Sequence, residues 1–340
     1  MGSSRLRPSA PSVGAATPLL ATRTTCERRV VEAKDQYRAC VEALRSFMES
    51  AGFSDAVVGL SGGMDSSLAA VMCVDALGAD HVHGVLLPGP YSSSHSVEDA
   101  EVLARNLGID AHTVPIVEPF EAFARALAPA CGGALEGLAA ENTQARCRMV
   151  CLMALSNAHG WMLVNTGNKS EAYMGYSTLY GDTAGAFAPL GGLYKTDVYA
   201  VARWRNGEEG LLAYAVAASA DTGAAMGEGA ASNAVDTGLM ADAAGAAAAR
   251  GTVPPIPERV FTKPPSAELA PGQEDEKSLG IDYATLDALL FAHVERGLDA
   301  EALVGEGFDA ALVERVLSRV AATAFKRALE PPAPDAAFYG

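Results

Sequence analysis

Short apolar runs alternate with helical periodicities through the first half of the chain. Between the runs, apolar residues recur at helical spacing and predict helices at 67–77, 96–107, 118–128 and 139–158, with an amphipathic helix at 35–50 before them. Strands that alternate with helices form a parallel sheet covered on both faces. We therefore expect an α/β fold with a doubly wound parallel sheet. Its strands are predicted at Ala56–Leu60, Val82–Leu87, Ala111–Ile116 and Trp161–Asn165.

The second half of the chain has a different pattern. Residues 206–252 are rich in alanine and glycine and lack large side chains, which predicts a mobile surface insertion with at most some helix. Helical patterns at 283–294 and 310–329 predict a helical C-terminal part, which the proline-rich residues 331–334 end. We expect a flexible leader at 1–34, one domain at 35–332 that contains the insertion, and a tail at 333–340.

Charge and cysteine content restrict the partners and the compartment. The 340 residues include 25 lysines and arginines against 41 aspartates and glutamates, a net charge of −16, which argues against nucleic acid or anionic membrane as a partner. No apolar run has the length of a membrane span.

Six cysteines in a chain this long do not indicate a disulfide scaffold, and no second Cys/His pair completes a zinc site with Cys147 and Cys151. We expect a cytoplasmic protein.

The segment Ser61-Gly62-Gly63-Met64-Asp65-Ser66 joins the first strand to the next helix. Two glycines leave backbone N–H groups accessible, and a helix N-terminus adds partial positive charge, so the turn is suited to phosphate. An aspartate there would repel a phosphate unless a cation lies between them, so Asp65 predicts Mg²⁺. Neither a P-loop nor a Rossmann GxGxxG is present. Thr166 follows another strand, at the same predicted edge of the sheet.

Eight motifs in order resemble those of the NAD synthetases, members of the N-type ATP pyrophosphatases. The likeness covers about residues 36–332 except the insertion, and it implies an adenine-nucleotide alpha-hydrolase-like fold. Each motif alone is weak, and the ordered set is specific. The motifs are Ser61–Ser66, Tyr91–Ser96, Glu141–Arg146, Thr166–Glu171, Tyr180–Asp182, Lys195–Thr196, Lys263–Leu269 and Lys326–Arg327.

This resemblance implies an ATP-dependent amidation of deamido-NAD to NAD that proceeds through an acyl-adenylate and releases AMP and pyrophosphate. Such chemistry depends on positioning and charge neutralisation, and no side chain acts as a covalent nucleophile. Asp65 and Glu171 would bind Mg²⁺. Deamido-NAD would contact Asn142, Arg146, Glu171 and Lys326. ATP would contact Gly59, Leu60, Ser61, Gly62, Gly63, Met64, Asp65, Ser66, Thr166, Lys195 and Ser266.

Several of these residues have a simpler interpretation without the resemblance. Arg146 would be a solvated surface charge, and Lys326 would be a cation at a helix C-terminus, where cations are favoured. Glu171 would cap or solvate a helix start. Lys195 opens a helix, where the dipole disfavours a cation, so a phosphate partner explains it better.

The nitrogen donor implied by the resemblance is ammonia. Leu179, Ala186 and Phe325 stand where the small ammonia-dependent enzymes have lysine, aspartate and histidine. The chain instead resembles the synthetase domain of glutamine-dependent enzymes, which also carry a glutaminase domain. About fifty residues precede the first predicted strand, too few for a glutaminase. The ammonia would be free or would come from a separate or missing glutaminase.

The resemblance also implies a homodimer. The predicted helix around 141–158 is apolar around much of its circumference and needs cover on more than one side. Two other functions stay open: a different adenylating enzyme of the same loop class, and a non-catalytic nucleotide-binding module. The module would be expected to lack Asp65 or Glu171, and both are present.

Overall fold

Four parallel strands form the centre of the computed structural model, which describes residues 31–221 and 253–339. Residues 1–30 of the predicted leader and 222–252 of the predicted insertion lie outside the described residues. The order in the sheet is β3-β2-β1-β4. In register, Ala56 of β1 pairs with Val82 of β2 and with Met162 of β4. The strands are β1 (Ala56–Gly59), β2 (Val82–Leu86), β3 (Asp110–Thr113) and β4 (Met162–Leu163).

Helices follow the strands and cover both faces of the sheet, which confirms the predicted fold class. Among the described residues, no helix is long and apolar enough to cross a membrane. The helices are α1 (Ala33–Ala51), α2 (Met64–Leu77), α3 (Ser94–Leu107), α4 (Val117–Cys131), α5 (Gly137–His159), α6 (Lys169–Met174), α7 (Lys195–Asn206), α8 (Glu208–Asp221), α9 (Glu258–Thr262), α10 (Asp275–Leu279), α11 (Tyr283–Val294), α12 (Ala300–Gly305), α13 (Ala310–Ala322) and α14 (Ala324–Arg327).

Alternation of side chains along β1 separates the two layers of the core. Val58 points into a cluster with side chains of α1, α2, α3 and α7, whereas Val57 points into a second cluster with Ile116 and Cys147. The second cluster lies under α4 and α5, where Leu152 and Met153 pack against it. A third cluster contains Leu286 and its neighbours on α11–α13, which form the expected helical C-terminal part.

Several predicted boundaries were wrong. Helix α2 begins at Met64 instead of 67, because Gly63 is extended and serves as its N-cap, so Asp65 lies in the first helical turn. β3 and β4 are shorter than predicted: among the described strands β3 pairs only with β2, and the pairing beyond β4 continues as an isolated parallel bridge between Val164 and Phe187. The pattern at 310–329 contains two helices, which separate at Thr323 where its side chain packs under Gly175.

The start of the predicted insertion and the predicted tail are both packed against the domain. Residues 208–221 form α8, and the Tyr214 ring lies edge-on to Tyr37 with centroids 5.4 Å apart. Near the other end of the chain, Phe338 is 3% exposed, and the Tyr339 hydroxyl donates to Asp197 at 2.7 Å. Tyr214 and Phe338 thus pack on the main hydrophobic cluster, whereas Leu212 of α8 stays 60% exposed.

Candidate active site

A cavity of about 320 Å³ opens where the carboxyl ends of the strands meet. Its walls contain residues that follow three strands, including Ser61 after β1, Pro88 after β2 and Thr166 after β4. This is the edge at which ligands bind in open parallel sheets. Part of the wall is the segment Lys263–Leu269, which follows α9.

The loop between β1 and α2 is held open by its own side chains. Ser61 and Ser66 hydroxyls lie 2.8 Å apart, and the Gly63 N–H donates to Ser61 Oγ at 3.2 Å. Gly62 has φ +73°, and a Cβ built on it would lie 2.0 Å from the carbonyl oxygen of Ser96 on α3. Only glycine fits this position. The loop thus passes close to α3 and leaves the N-terminus of α2 facing the cavity.

Asp65, Glu171 and Lys195 meet in this cavity. The Lys195 ammonium, 3% exposed, donates to Asp65 Oδ2 and to Glu171 Oε1, the latter at 3.0 Å. Asn168 orients both acids, because its Nδ2 donates to Asp65 Oδ1 at 2.9 Å and its Oδ1 accepts the Glu171 N–H at 3.0 Å. Asn168 lies within the motif Thr166–Glu171, but the motif alone did not indicate a role for it.

Burial and neighbouring charges shift the protonation of this cluster. Burial, together with the nearby Asp65, raises the pKa of Glu171 to about 7, although Lys195 opposes the shift. Burial alone would lower the pKa of the Lys195 ammonium, but Asp65 and Glu171 raise it well above its usual value. The pKa of Asp275, which also lines the cavity, is raised by burial. The cluster therefore carries more carboxylates than cations.

Asp65 and Glu171 could supply part of the oxygen ligands of a divalent cation. Both carboxylates reach the same Lys195 nitrogen, so their oxygens lie close together on the cavity wall. Within residues 31–221 and 253–339, no group of three or more His, Cys, Asp or Glu side chains could hold a metal ion. Mg²⁺ commonly takes only one or two carboxylates and completes its shell with water and phosphate oxygens.

Asp287 supports the cluster from behind. Its fully buried carboxylate accepts the Ser170 hydroxyl at 2.6 Å and the Thr196 N–H at 2.7 Å. Ser170 Oγ accepts the Lys195 N–H at 2.9 Å. One acid on α11 thereby fixes the starts of α6 and α7. The signal in the sequence that points to Asp287 is that it is the single aspartate among the apolar residues of α11.

The remaining candidate residues divide into two sets. Gly59, Leu60 and Met64 line the cavity, and so does Ser266, whose hydroxyl donates to the Gln273 carbonyl at 2.6 Å. Gly62 shapes the loop without lining the cavity.

Asn142, Arg146 and Lys326 are not among the cavity-lining residues. Asn142 Oδ1 accepts the Thr178 hydroxyl at 2.7 Å, and Arg146 Nε donates to the Leu179 carbonyl at 3.2 Å. The Lys326 ammonium donates to the backbone of Gly175 and Ser177. All three contact the segment 175–179 that follows α6.

The chain is similar to proteins of one known family. The model of the NAD synthase family matches residues 36–224 and 237–330. A glutamine-dependent NAD(+) synthetase of Thermotoga maritima is 39% identical over 87% of this chain and 44% of its own length. The chain spans about half the length of the curated relatives it matches.

Solved structures show the same architecture. A glutamine-dependent NAD+ synthetase from Acinetobacter baumannii, solved with ADP, is 32% identical with a TM-score of 0.54, over 91% of this chain and 48% of its own. The fold alone is shared with an NMN synthetase from Francisella tularensis, 24% identical with a TM-score of 0.63, over 87% of this chain and 96% of its own. With the ordered motifs and the loop at the carboxyl edge of the sheet, these matches show that the chain belongs to the NAD synthase family.

Proposed function

We propose that this chain catalyses the ATP-dependent amidation of deamido-NAD to NAD, with release of AMP and pyrophosphate. The observation that carries the proposal is the convergence of the Ser61–Ser66 loop, Asp65, Glu171 and Lys195 on one cavity. The names of the relatives support the same reaction. A cytoplasmic location is part of the proposal and depends on the sequence alone.

In the first step, a carboxylate oxygen of the nicotinate group attacks the α-phosphorus of ATP, and the bond to pyrophosphate breaks. The free N–H groups at the start of α2 and the Ser61 and Ser66 hydroxyls would hold the phosphates of the leaving group. Asp65 and Glu171 would hold Mg²⁺, which would neutralise phosphate charge when bound. Lys195 supplies a fixed positive charge beside both acids.

In the second step, ammonia attacks the acyl carbon of the adenylate, and AMP leaves. The nitrogen loses its extra proton to solvent or to a basic group of the site. We propose ammonia as the direct donor for this chain, either free or released from glutamine by a glutaminase that is a separate chain or a missing part. Asn142, Arg146 and Lys326 remain the proposed contacts of the dinucleotide.

The decisive assay measures AMP and NAD from ATP, Mg²⁺, ammonium and deamido-NAD. Asp65→Asn should lower the rate at least a hundredfold, because it removes a charge from the phosphate and cation site. Asp80→Asn, an exposed aspartate just after α2, should keep the wild-type rate. AMP release with xanthosine monophosphate in place of deamido-NAD would favour another adenylating enzyme. Absence of AMP release with any acceptor would favour a binding module.

We also propose that the chain acts as a homodimer through α5. Leu138, Asn142, Arg146 and Val150 recur every four residues and lie on one side of this helix. Leu138 is 70% exposed and Val150 is 55% exposed, and exposed Phe123 and Leu127 lie on the neighbouring α4. A second copy that covers this face would place Asn142 and Arg146 beside the interface.

Sedimentation tests the dimer. Val150→Glu should shift the chain toward monomer at micromolar concentration and weaken deamido-NAD binding, since both depend on the same face. Leu212→Glu changes an equally exposed apolar residue on α8 and should leave the assembly unchanged. A wild-type monomer that converts deamido-NAD at the full rate would contradict this part of the proposal.

A further inference from the structure

Three basic side chains line the cavity, and two of them already have acidic partners. Lys195 contacts Asp65 and Glu171, and the Lys263 ammonium lies 3.5 Å from Asp99. Arg148 of α5 is the third, and within the described part of the chain no carboxylate lies within 4 Å of it. A cation without an anionic partner in such a cavity needs an explanation, because burial of an unpaired charge is costly.

The guanidinium of Arg148 is held by a single hydrogen bond. Its Nε donates to the Leu87 carbonyl at 3.0 Å, just after β2. The two terminal NH₂ groups have no acceptor among the described residues. Gly89 makes room on one side, since a Cβ built there would lie 2.8 Å from Nη2. The bond to Leu87 thus fixes the direction of the side chain and leaves two donors available.

The surroundings favour an anion that arrives from outside. Burial lowers the pKa of Arg148, and the more distant carboxylates of Glu268 and Asp182 act in the opposite direction without contacting it. Although burial lowers this pKa from its usual 12.5, an arginine side chain stays protonated near neutral pH. The site therefore has a fixed planar cation with two free donors, which is the geometry that binds a carboxylate or a phosphate in a bidentate manner.

We propose that Arg148 is an anion receptor of this cavity and that its terminal NH₂ groups bind an oxyanion of the reacting substrates. This assignment rests on the proposed function, in which a carboxylate and a phosphate, both negatively charged, must approach each other. The oxyanion belongs either to ATP or to deamido-NAD. A receptor that binds one of them beside the other would offset their repulsion.

Separate binding measurements distinguish the two sources. ATP alone and deamido-NAD alone are titrated by calorimetry into wild type, Arg148→Gln and Arg148→Lys, with the exposed Arg105→Gln on α3 as control. We expect Arg148→Gln to lower the affinity for the ligand that Arg148 contacts at least tenfold. This change corresponds to about 1.4 kcal/mol and to the loss of one charged hydrogen bond. Arg148→Lys should recover part of the affinity, because it keeps the charge but loses the fork. Arg105→Gln should bind both ligands as wild type does.

Each outcome of these titrations supports or overturns the proposal. If Arg148→Gln weakens the binding of ATP but not of deamido-NAD, the oxyanion belongs to the nucleotide phosphates. If it weakens the binding of deamido-NAD but not of ATP, the oxyanion belongs to deamido-NAD. If Arg148→Gln loses affinity for both ligands while its melting temperature stays that of the wild type, Arg148 is a receptor shared by the two ligands. Wild-type affinity of Arg148→Gln for both ligands would overturn the proposal. So would an equal loss in Arg148→Gln and Arg148→Lys together with a lower melting temperature of the ligand-free protein, since Arg148 would then only support Leu87.

The titration with ATP also separates this proposal from the proposed function. ATP binding by the wild-type chain does not require deamido-NAD to be its acceptor. If the chain binds ATP but releases no AMP with deamido-NAD, the proposed function fails, and the role of Arg148 is still decided by the ATP titration and by the same titration with inorganic pyrophosphate.

Discussion

Gly62 is the residue on which the geometry of the phosphate loop depends most directly. Its φ of +73° and its 2.0 Å approach to the Ser96 carbonyl both exclude a side chain. Gly52 has nearly the same φ, +76°, but no atom lies within 4 Å of a Cβ built there. The two positions therefore separate backbone strain from steric overlap.

Gly62→Ala should destabilise the protein more than Gly52→Ala. For Gly52→Ala we expect the cost of a left-handed alanine, about 1–2 kcal/mol. At Gly62 the overlap adds to that cost, and the loop must move away from α3, so ATP affinity should fall as well. Urea unfolding and ATP titration measure both effects. Equal unfolding free energies for the two variants, with wild-type ATP affinity in Gly62→Ala, would contradict the role given to Gly62.

Glu171 predicts an unusual pH dependence of stability. Its pKa is raised from 4.5 to about 7, so between these values the folded state binds more protons than the unfolded state. Stability then falls as the pH rises through this window. The penalty is absent below about pH 4.5 and fully present above about pH 7. Its size is about 2–3 kcal/mol for a side chain that is 19% exposed.

Glu171→Gln removes this titration. In ligand-free protein with a chelator, its melting temperature relative to wild type should therefore rise between pH 5 and pH 8. Glu121→Gln changes an exposed glutamate on α4, and its melting temperature should differ from that of the wild type by the same amount at both pH values. A difference between wild type and Glu171→Gln that does not change with pH would show that the carboxyl titrates normally.

At the scale of elements, α2 and α7 are joined by ion pairs at both ends. Asp65 pairs with Lys195 at the start of the two helices, and Asp75 pairs with Arg205 ten residues later in each. Equal spacing on two helices keeps both pairs in register only if the helices run side by side in the same direction. The distal pair is buried, and the Tyr37 hydroxyl of α1 also donates to Asp75. This arrangement fixes the relative position of the two helix starts that form the site.

The sequence predicted elements whose own periodicity is strong and missed those defined by their neighbours. The helices α1 and α11 and the strands β1 and β2 follow from runs and spacings that belong to one element. β3 carries almost no buried side chain, so nothing in its pattern marks where it ends. Helix α8 and the segment up to Tyr339 are held by single aromatic residues such as Tyr214, which no periodicity reveals.

For the site, the sequence predicted residues in motifs and missed residues that act through tertiary contacts. Asp65, Thr166, Glu171 and Lys195 lie together at one edge of the sheet as expected. The unfavourable helix dipole at Lys195 did not predict its contacts with the carboxylates of Asp65 and Glu171, and its phosphate contact stays a prediction. Asp287 acts on the site through Ser170, more than a hundred residues away in the chain, and no local pattern contains that information.

At the scale of the whole molecule, the helical C-terminal part and the sheet meet at the back of the active site. Asp287 lies on α11 of the C-terminal part and accepts hydrogen bonds from Ser170 and Thr196 at the starts of α6 and α7. Tyr339 packs against both hydrophobic clusters. The C-terminal part is thus positioned to hold Lys195 and Glu171 in place rather than to form a separate unit.

Asp287→Asn tests this coupling with a change of one atom. An amide in place of the carboxylate turns one hydrogen-bond acceptor into a donor. The new NH₂ group would face either the Ser170 hydroxyl or the Thr196 N–H, and this mismatch should lower the free energy of unfolding by about 1–3 kcal/mol. Because that contact positions Lys195, we expect kcat to fall about tenfold or more while the KM for ATP changes less. Asp282→Asn, at the N-cap of the same helix, keeps a good capping residue and should leave both parameters unchanged. Rates are measured below the melting temperature of the variant, so that unfolded protein does not contribute. Wild-type kcat in folded Asp287→Asn would show that the C-terminal part supports the fold without positioning the site.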